Sequence, residues 1–464
     1  MTRIRLFFLC LLLGAYTLNA QQIENYLNRP LPDGWQEKDT LFQQVLPVDD
    51  RWWKVFEDPT LDSLINLAMD QNPSVLMAIN RIDQAKAQWR ISQSDFYPSL
   101  SFHGGWERQQ TSGNLGNGTP QAWTGYYSAS VQMSWQLDVF GVIRQKAKAQ
   151  KELYAASKEE YNATMVSLCA EVASAYFNLR EMQQEVDVLR RNAVSQEAVV
   201  AITETRYKTG LVSKLDVAQA KSVYYNTLAT IPRLDAYITQ CVNQLAILLG
   251  TYPSTLKDSF DDASELPSIR HIVNVGIPAD VIRNRPDVRQ AEYLIESQAA
   301  LIGAAKADYY PKFSINGSFG FLSHDIDKFL DNESRMFSFT PTLTWNLFSG
   351  LQTRKNVKIA EIALTESIDN YNNVILNAIQ EVETEMSNYA NALKTIEMGQ
   401  QVVEQGNKTL ELSIDLYKRG LGTFTNVLDA QRTVLSDQNY LVSAWNSALL
   451  SLVRLYTALG GNWE

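Results

Sequence analysis

Two stretches of this chain alternate apolar and polar residues with a period of two. Tyr127, Ala129, Val131, Met133, Trp135 and Leu137 are interleaved with Ser128, Ser130, Gln132, Ser134 and Gln136. Further on, Phe337, Phe339, Pro341, Leu343, Trp345 and Leu347 alternate with Ser338, Thr340, Thr342, Thr344 and Asn346. Each stretch has an upstream partner of the same kind, through Leu100, Phe102 and Trp106 in one case and Phe313, Ile315, Phe319 and Phe321 in the other. This period predicts strands with one apolar and one polar face, two within 99–139 and two within 312–348. The polar face is uncharged and small, and the aromatic residues gather near the ends of the apolar face. That distribution fits a membrane barrel with lipid outside and a hydrated lumen inside better than a soluble sandwich, whose polar face would carry Lys, Glu and Arg as well. Val131, Met133, Trp135, Leu343 and Trp345 are the expected lipid-facing positions. The links Glu107–Gly125 and Leu322–Arg335 are rich in Gly, Asn, Gln and Asp and read as exposed loops.

The opposite pattern follows each strand pair. Residues 142–209 contain no Gly and no Pro and are dense in Ala, Glu, Gln, Lys and Leu, which predicts a helix of roughly 100 Å. Residues 351–419 repeat this, with only Gly399 and Gly406 interrupting the run free of Gly and Pro. Gly210 and Gly420 mark turns, each followed by a returning helix that ends at Leu249 or Leu459. Shorter helices are expected over Ile79–Trp89 and Val288–Ala305, each stopped by a Tyr-Pro pair, because the residue before proline avoids the helical region. Helices this long without a continuous apolar surface need partner helices.

The recurrence of these elements is a duplication. Asp95-Phe96-Tyr97-Pro98 returns as Asp308-Tyr309-Tyr310-Pro311, and Asn72-Pro73 matches Arg285-Pro286 at the same spacing. Tyr207-Lys208-Thr209-Gly210-Leu211 returns as Tyr417-Lys418-Arg419-Gly420-Leu421, and Leu249-Gly250 as Leu459-Gly460. Such a long period indicates a duplicated domain rather than a solenoid. The expected organisation is a signal peptide at 1–20, an extended segment at 21–60, a first repeat at 61–250 with its hairpin at 142–250, and a linker at 251–280. A second repeat at 281–460 with its hairpin at 351–460 and a tail at 461–464 complete it. The fold class is an α+β membrane protein. Four strands cannot close a membrane barrel, whose minimum is about eight, and open edges are not tolerated in lipid. The chain must therefore oligomerise, to eight strands as a dimer or twelve as a trimer.

Arg3, Arg5, the apolar run Leu6–Leu13 and the small residue Ala20 make an export signal. Cys10 falls inside that apolar run, too early for a lipid-modified N-terminus. The formal charge of −10 over 464 residues gives no basis for clamping a phosphate backbone, so nucleic acid is not an expected partner. Three cysteines and three histidines, in no ligand-like spacing, exclude a disulfide framework and a standard zinc site. No paired acid and base or nucleophile set suggests an enzyme, and no cofactor is expected.

Four motifs resemble the outer-membrane efflux channels of the TolC type. They are Trp52-Trp53-Lys54-Val55-Phe56-Glu57-Asp58-Pro59, Arg285-Pro286-Asp287-Val288-Arg289-Gln290-Ala291-Glu292, Ile302-Gly303-Ala304-Ala305-Lys306-Ala307 and Val427-Leu428-Asp429-Ala430-Gln431-Arg432. The resemblance covers essentially the whole chain beyond the signal. It implies a homotrimer with a twelve-stranded barrel in outer-membrane lipid and a twelve-helix periplasmic tube. It also implies partnership with a periplasmic adaptor and an inner-membrane pump of the resistance-nodulation-division kind. A duct for protein secretion uses the same scaffold, and a non-conducting periplasmic spacer is the alternative of another class. By resemblance Asp429 lines the constricted periplasmic entrance; Thr425 lies one turn nearer the tip on the same face, and Tyr417, three residues before Gly420, either joins the gate as a latch between neighbouring hairpins or packs at the turn. The turns Gly210, Leu211, Ser213, Gly420, Leu421 and Thr423 would meet the adaptor. Arg144, Lys146, Lys148, Arg354, Lys355 and Lys358, where both long helices open, are candidates for lipid phosphate or for a solvated face.

Overall fold

The computed structural model describes residues 31–43, 51–112, 114, 122–256, 260, 266–267 and 272–461. The signal expected at 1–20 lies outside the described residues. In chain order the principal elements are α1 (Pro59–Gln71), α2 (Pro73–Ser94), β1 (Ser99–Gln110), β2 (Trp123–Leu137), α3 (Val142–Lys208) and α4 (Lys214–Leu248). They continue with α5 (Pro286–Ala307), β3 (Lys312–Ser323), β4 (Arg335–Thr344), α6 (Gln352–Arg419) and α7 (Phe424–Ala458). The chain divides into two compact units, one of Asn80–Lys158 with Gln290–Tyr371, the other of Met1–Ile79, Glu159–Arg289 and Asn372–Glu464.

The first of these units holds a four-stranded antiparallel sheet in the order β1–β2–β3–β4. Directly opposed residues of an antiparallel pair share a face, so the register can be read row by row. One row runs Phe102, Val131, Phe319, Phe337 across all strands, and the next apolar row runs Leu100, Met133, Gly317, Phe339. On the other face, Ser101, Gln132, Ser318, Ser338 lie between them and Ser99, Ser134, Asn316, Thr340 lie just beyond the second. Hydroxyls and amides pair along these polar rows, Ser134 Oγ donating to Asn316 Oδ1 at 3.0 Å and Ser318 meeting Ser338 at 2.7 Å. Phe102, Phe319, Phe337, Phe339 and Leu343 are all exposed, and β1 and β4 are open edges.

The strand ends follow from proline. Tyr97 and Tyr310 precede Pro98 and Pro311, where α2 and α5 stop and β1 and β3 begin. Alternation had placed Trp345 and Leu347 on a strand, but β4 stops at Thr344, the partner of Lys312. The next pair in register would be Trp345 with Pro311, which has no N–H to donate. The Trp345 indole donates instead to the Tyr309 carbonyl at 3.0 Å, as the Trp135 indole donates to Phe96 at 2.9 Å. At the start of α3 the Asp138 carboxylate accepts from the Ile143 and Arg144 amides, each at 2.9 Å.

The second unit is helical at its core. The segment expected to be extended over 21–60 contains a 3-10 helix, Trp52–Phe56, whose Trp52, Trp53, Val55 and Phe56 are buried. Phe56 packs edge-on against Phe177 at 4.8 Å, and Trp52 stacks on Tyr456 at 5.8 Å. Burial of so much aromatic surface favours a compact turn over an extended chain. Asp58 caps α1 through the Thr60 and Leu61 amides and accepts the Tyr176 hydroxyl at 2.6 Å. The segment expected as a linker over 251–280 also carries structure: a short helix Pro253–Leu256, the start of the helix Pro278–Asn284, and Val273–Asn274, which pairs parallel with Phe42–Gln43.

The duplication is visible in how the returning helices end. Asn72 Nδ2 donates to the Leu248 carbonyl at 2.7 Å, and Arg285 Nη1 donates to the Ala458 carbonyl at 2.7 Å. The two side chains are repeat equivalents and so are the two carbonyls. Each satisfies a carbonyl in the last turn of a helix, which has no partner within that helix. Arg285, buried, also binds Asp287 and Glu381 through Nη2 at 2.8 and 2.9 Å.

Helix α3 has 67 residues and α6 has 68. Gly399 and Gly406 lie within the continuous α6. They face α7, where a Cβ at Gly399 would sit 3.2 Å from Leu441 Cδ1 and one at Gly406 would sit 3.3 Å from Val434 Cγ2. Their role is close helix approach. Among the described residues no helix is long and apolar enough to cross a membrane.

Candidate functional site

The two hairpin tips are built alike. Gly210 has φ +74° and Gly420 φ +77°, a conformation that favours glycine. In the first tip the Leu211 amide donates to the Arg206 carbonyl at 2.9 Å and the Gly210 amide to Tyr207 at 2.9 Å; in the second, Leu421 donates to Leu416 at 2.9 Å and Gly420 to Tyr417 at 3.0 Å. This is the Schellman pattern of helix termination. Ser213 then caps α4, its Oγ 3.1 Å from Asp216 Oδ1, while Thr423 sits at the cap of α7 without a side-chain capping bond. Leu211 is 67% and Leu421 75% exposed, so each tip presents a leucine, glycine backbone and hydroxyls to solvent.

Behind the tips the side chains sort by face. Phe424, Val427 and Leu428 of α7 are buried with Tyr417, Val199, Ala220 and Val223 in one cluster. Thr425, Asn426, Asp429, Arg432 and Thr433 form the opposite, exposed face of α7. Asp429 and Thr425 therefore share an accessible face, and Tyr417 does not join them. At 2% exposure it lies inside the cluster, its ring 5.6 Å from that of Phe424. Burial pushes the Tyr417 phenol above its ordinary value, so it stays neutral and acts by packing.

Arg206 was not singled out by sequence reasoning and adds a polar link between the two hairpins here. Its Nη1 donates to the Tyr417 carbonyl, and its guanidinium lies 4.6 Å from the centre of the Tyr417 ring. The only sequence signal was asymmetry at equivalent positions, Arg206 against Leu416. A second link near this tip, Lys221 to Glu204 at 2.7 Å, joins α4 to α3. The hydrogen bond from Lys221 holds the Glu204 carboxyl below its usual range. The designated strand residues Val131, Met133, Trp135 and Leu343 lie on the apolar face of the sheet.

The family model described as outer membrane efflux protein matches residues 64–251 and 277–461. The chain belongs to this family. Nodulation protein T of Rhizobium leguminosarum bv. trifolii is 30% identical over 414 residues, covering 89% of this chain and 88% of its own. A probable efflux pump outer membrane protein of Pseudomonas putida, TtgC, is 28% identical over 435 residues, covering 93% and 89%. Among solved structures, the outer-membrane channel OprN superposes with a TM-score of 0.85 at 26% identity, covering 94% of this chain and 98% of that one. A CusC structure does so with a TM-score of 0.81 at 26% identity, covering 94% and 99%. The efflux protein is thus an outer-membrane exit duct.

Proposed function

We propose that three copies of the efflux protein close a twelve-stranded barrel in the outer membrane and stack their hairpins into a tube that opens toward the periplasm. The observation that carries this is the sheet: apolar rows from edge to edge, polar rows on the reverse, and two open edges. Such edges find partners in lipid only by closure, and the polar rows then line a hydrated bore. An adaptor protein of a tripartite pump would dock on the tips through Leu211, Leu421 and the backbone around Gly210 and Gly420.

Asp429 forms the entrance ring in this reading. Three carboxylates about 6 Å apart would repel pairwise by roughly 2–3 kcal/mol at an effective dielectric near 20. Arg432 lies three residues on, about 4.5 Å further along the same exposed face, and supplies counter-charge that tempers the repulsion. The ring attracts cations at the mouth. Single-channel current through the purified protein in a planar bilayer tests this. Asp429→Ala is expected to lower cation selectivity and weaken block by divalent cations added on the tip side, while Asp216→Asn, which keeps the Ser213 cap, is expected to change little. Unchanged selectivity and block in Asp429→Ala would remove this residue from the pore axis.

A further inference from the structure

Seven basic residues crowd the first three turns of the two long helices that leave the sheet. They are Arg144, Lys146, Lys148 and Lys151 on α3 and Arg354, Lys355 and Lys358 on α6, all exposed. The same turns hold two carboxylates: Glu152, which is buried, and Glu361, 3.7 Å from Lys358. The chain as a whole carries −10, so the cluster reverses the local sign. Arg144 leans on Asp138 at 3.7 Å. Among the described residues no salt bridge engages Lys146, Lys148, Lys151, Arg354 or Lys355.

This placement runs against helix electrostatics. A helix start favours acidic side chains and disfavours basic ones, yet neither α3 nor α6 has an acidic residue in its first turn. Capping does not explain the charges either, since Asp138 already holds the first amides of α3. Their position along the chain points to what they meet. Both helices begin where the apolar face of the sheet ends, at a level marked by the Trp135 and Trp345 indoles bonded to Phe96 and Tyr309 and by Phe140 stacked on Tyr310 at 4.8 Å. Tryptophan and tyrosine bands mark the edge of the hydrocarbon layer, and the headgroup phosphates lie just beyond it.

We infer that this cluster is a binding surface for the phosphates of anionic phospholipids, in the leaflet on the helical side of the sheet. The inference rests on the sheet being the membrane-spanning part. Lipid is favoured over free phosphate because the basic residues adjoin an apolar face that already selects acyl chains, and because two separate helices place them at one level.

The test uses the full-length protein in bilayers of phosphatidylcholine with brominated lipid, whose bromines quench nearby tryptophans. Brominated phosphatidylglycerol should outcompete brominated phosphatidylcholine for the protein surface by at least about fivefold, the effect of a single Lys or Arg near an anionic surface. The preference should fall toward one in about 1 M salt, where the Debye length shrinks to about 3 Å. It should also fall in a variant combining Lys146→Gln, Lys148→Gln, Lys151→Gln, Arg354→Gln and Lys355→Gln. Equal quenching by both lipids at low salt, or a preference that survives in the variant, would overturn the inference. If the variant does not fold, the salt titration of the native protein decides alone. Absence of quenching by either lipid would instead remove the sheet from the membrane, and the inference with it.

Discussion

Placing one arginine on each face of β2 separates the two sides of the sheet. Val131 sits in the apolar row with Phe102, Phe319 and Phe337, and its neighbour Gln132 sits in the polar row with Ser101, Ser318 and Ser338. Val131 is six residues from the strand end at Leu137, about 20 Å along the chain at 3.3 Å per residue. A strand tilt near 40° reduces this to about 15 Å of depth, half of a hydrocarbon core about 30 Å thick. If the apolar face meets lipid, arginine at that depth costs roughly 2–4 kcal/mol per chain, and the proposed trimer would carry the substitution three times. Val131→Arg should therefore reduce the yield of assembled trimer sharply, whereas Gln132→Arg puts its charge on the polar face, which lines the bore of the proposed barrel, and should leave yield near the native level. Trp135, only two residues from the strand end, lies near the interface, where the arginine cost falls to about 0–1 kcal/mol. The assay is the fraction of trimer recovered from isolated outer membranes on unheated gels, with expression matched. Greater damage from Gln132→Arg than from Val131→Arg would invert the assignment of faces and refute the reasoning.

Two further perturbations probe the helices. Arg206→Ala removes a charged hydrogen bond to the Tyr417 carbonyl and a guanidinium over its ring, together about 2–4 kcal/mol; single-channel recordings should show a larger or more often open pore, and native-like currents would deny Arg206 a role at the tip. Glu181 is raised above 4.5 chiefly by burial, with Glu185 adding to it. Its folded state thus holds a proton the unfolded state has lost, stability falls as pH rises through that window, and the charge is a net cost at neutral pH. Glu181→Gln, which can still accept from Asn446, should raise the melting temperature near pH 7 and give no gain near pH 4, as followed by circular dichroism in detergent; a gain of equal size at both would refute the titration argument.

Most of the secondary structure was legible because each element follows a local rule. Period-two alternation marked the strands, the long stretch free of Gly and Pro marked α3, and Gly210 and Gly420 marked turns that require positive φ. The errors came where long-range partners override local pattern. Trp345 alternates like a strand residue, but its would-be partner is Pro311. The burial of Trp52, Trp53 and Phe56 depends on Phe177 and Tyr456, distant in sequence. At the tip, Asp429 and Thr425 share an exposed face as their spacing implies, yet nothing local to Tyr417 tells that it is buried beneath Arg206.

The central claim is that a single chain contributes an incomplete sheet that only its own copies can close. Light scattering coupled to size exclusion, corrected for bound detergent, measures this directly on the purified protein. The account predicts a protein mass three times that of one purified chain, stable on dilution through the micromolar range. A monodisperse single-chain mass under the same conditions would contradict it, because β1 and β4 would then remain open in the membrane.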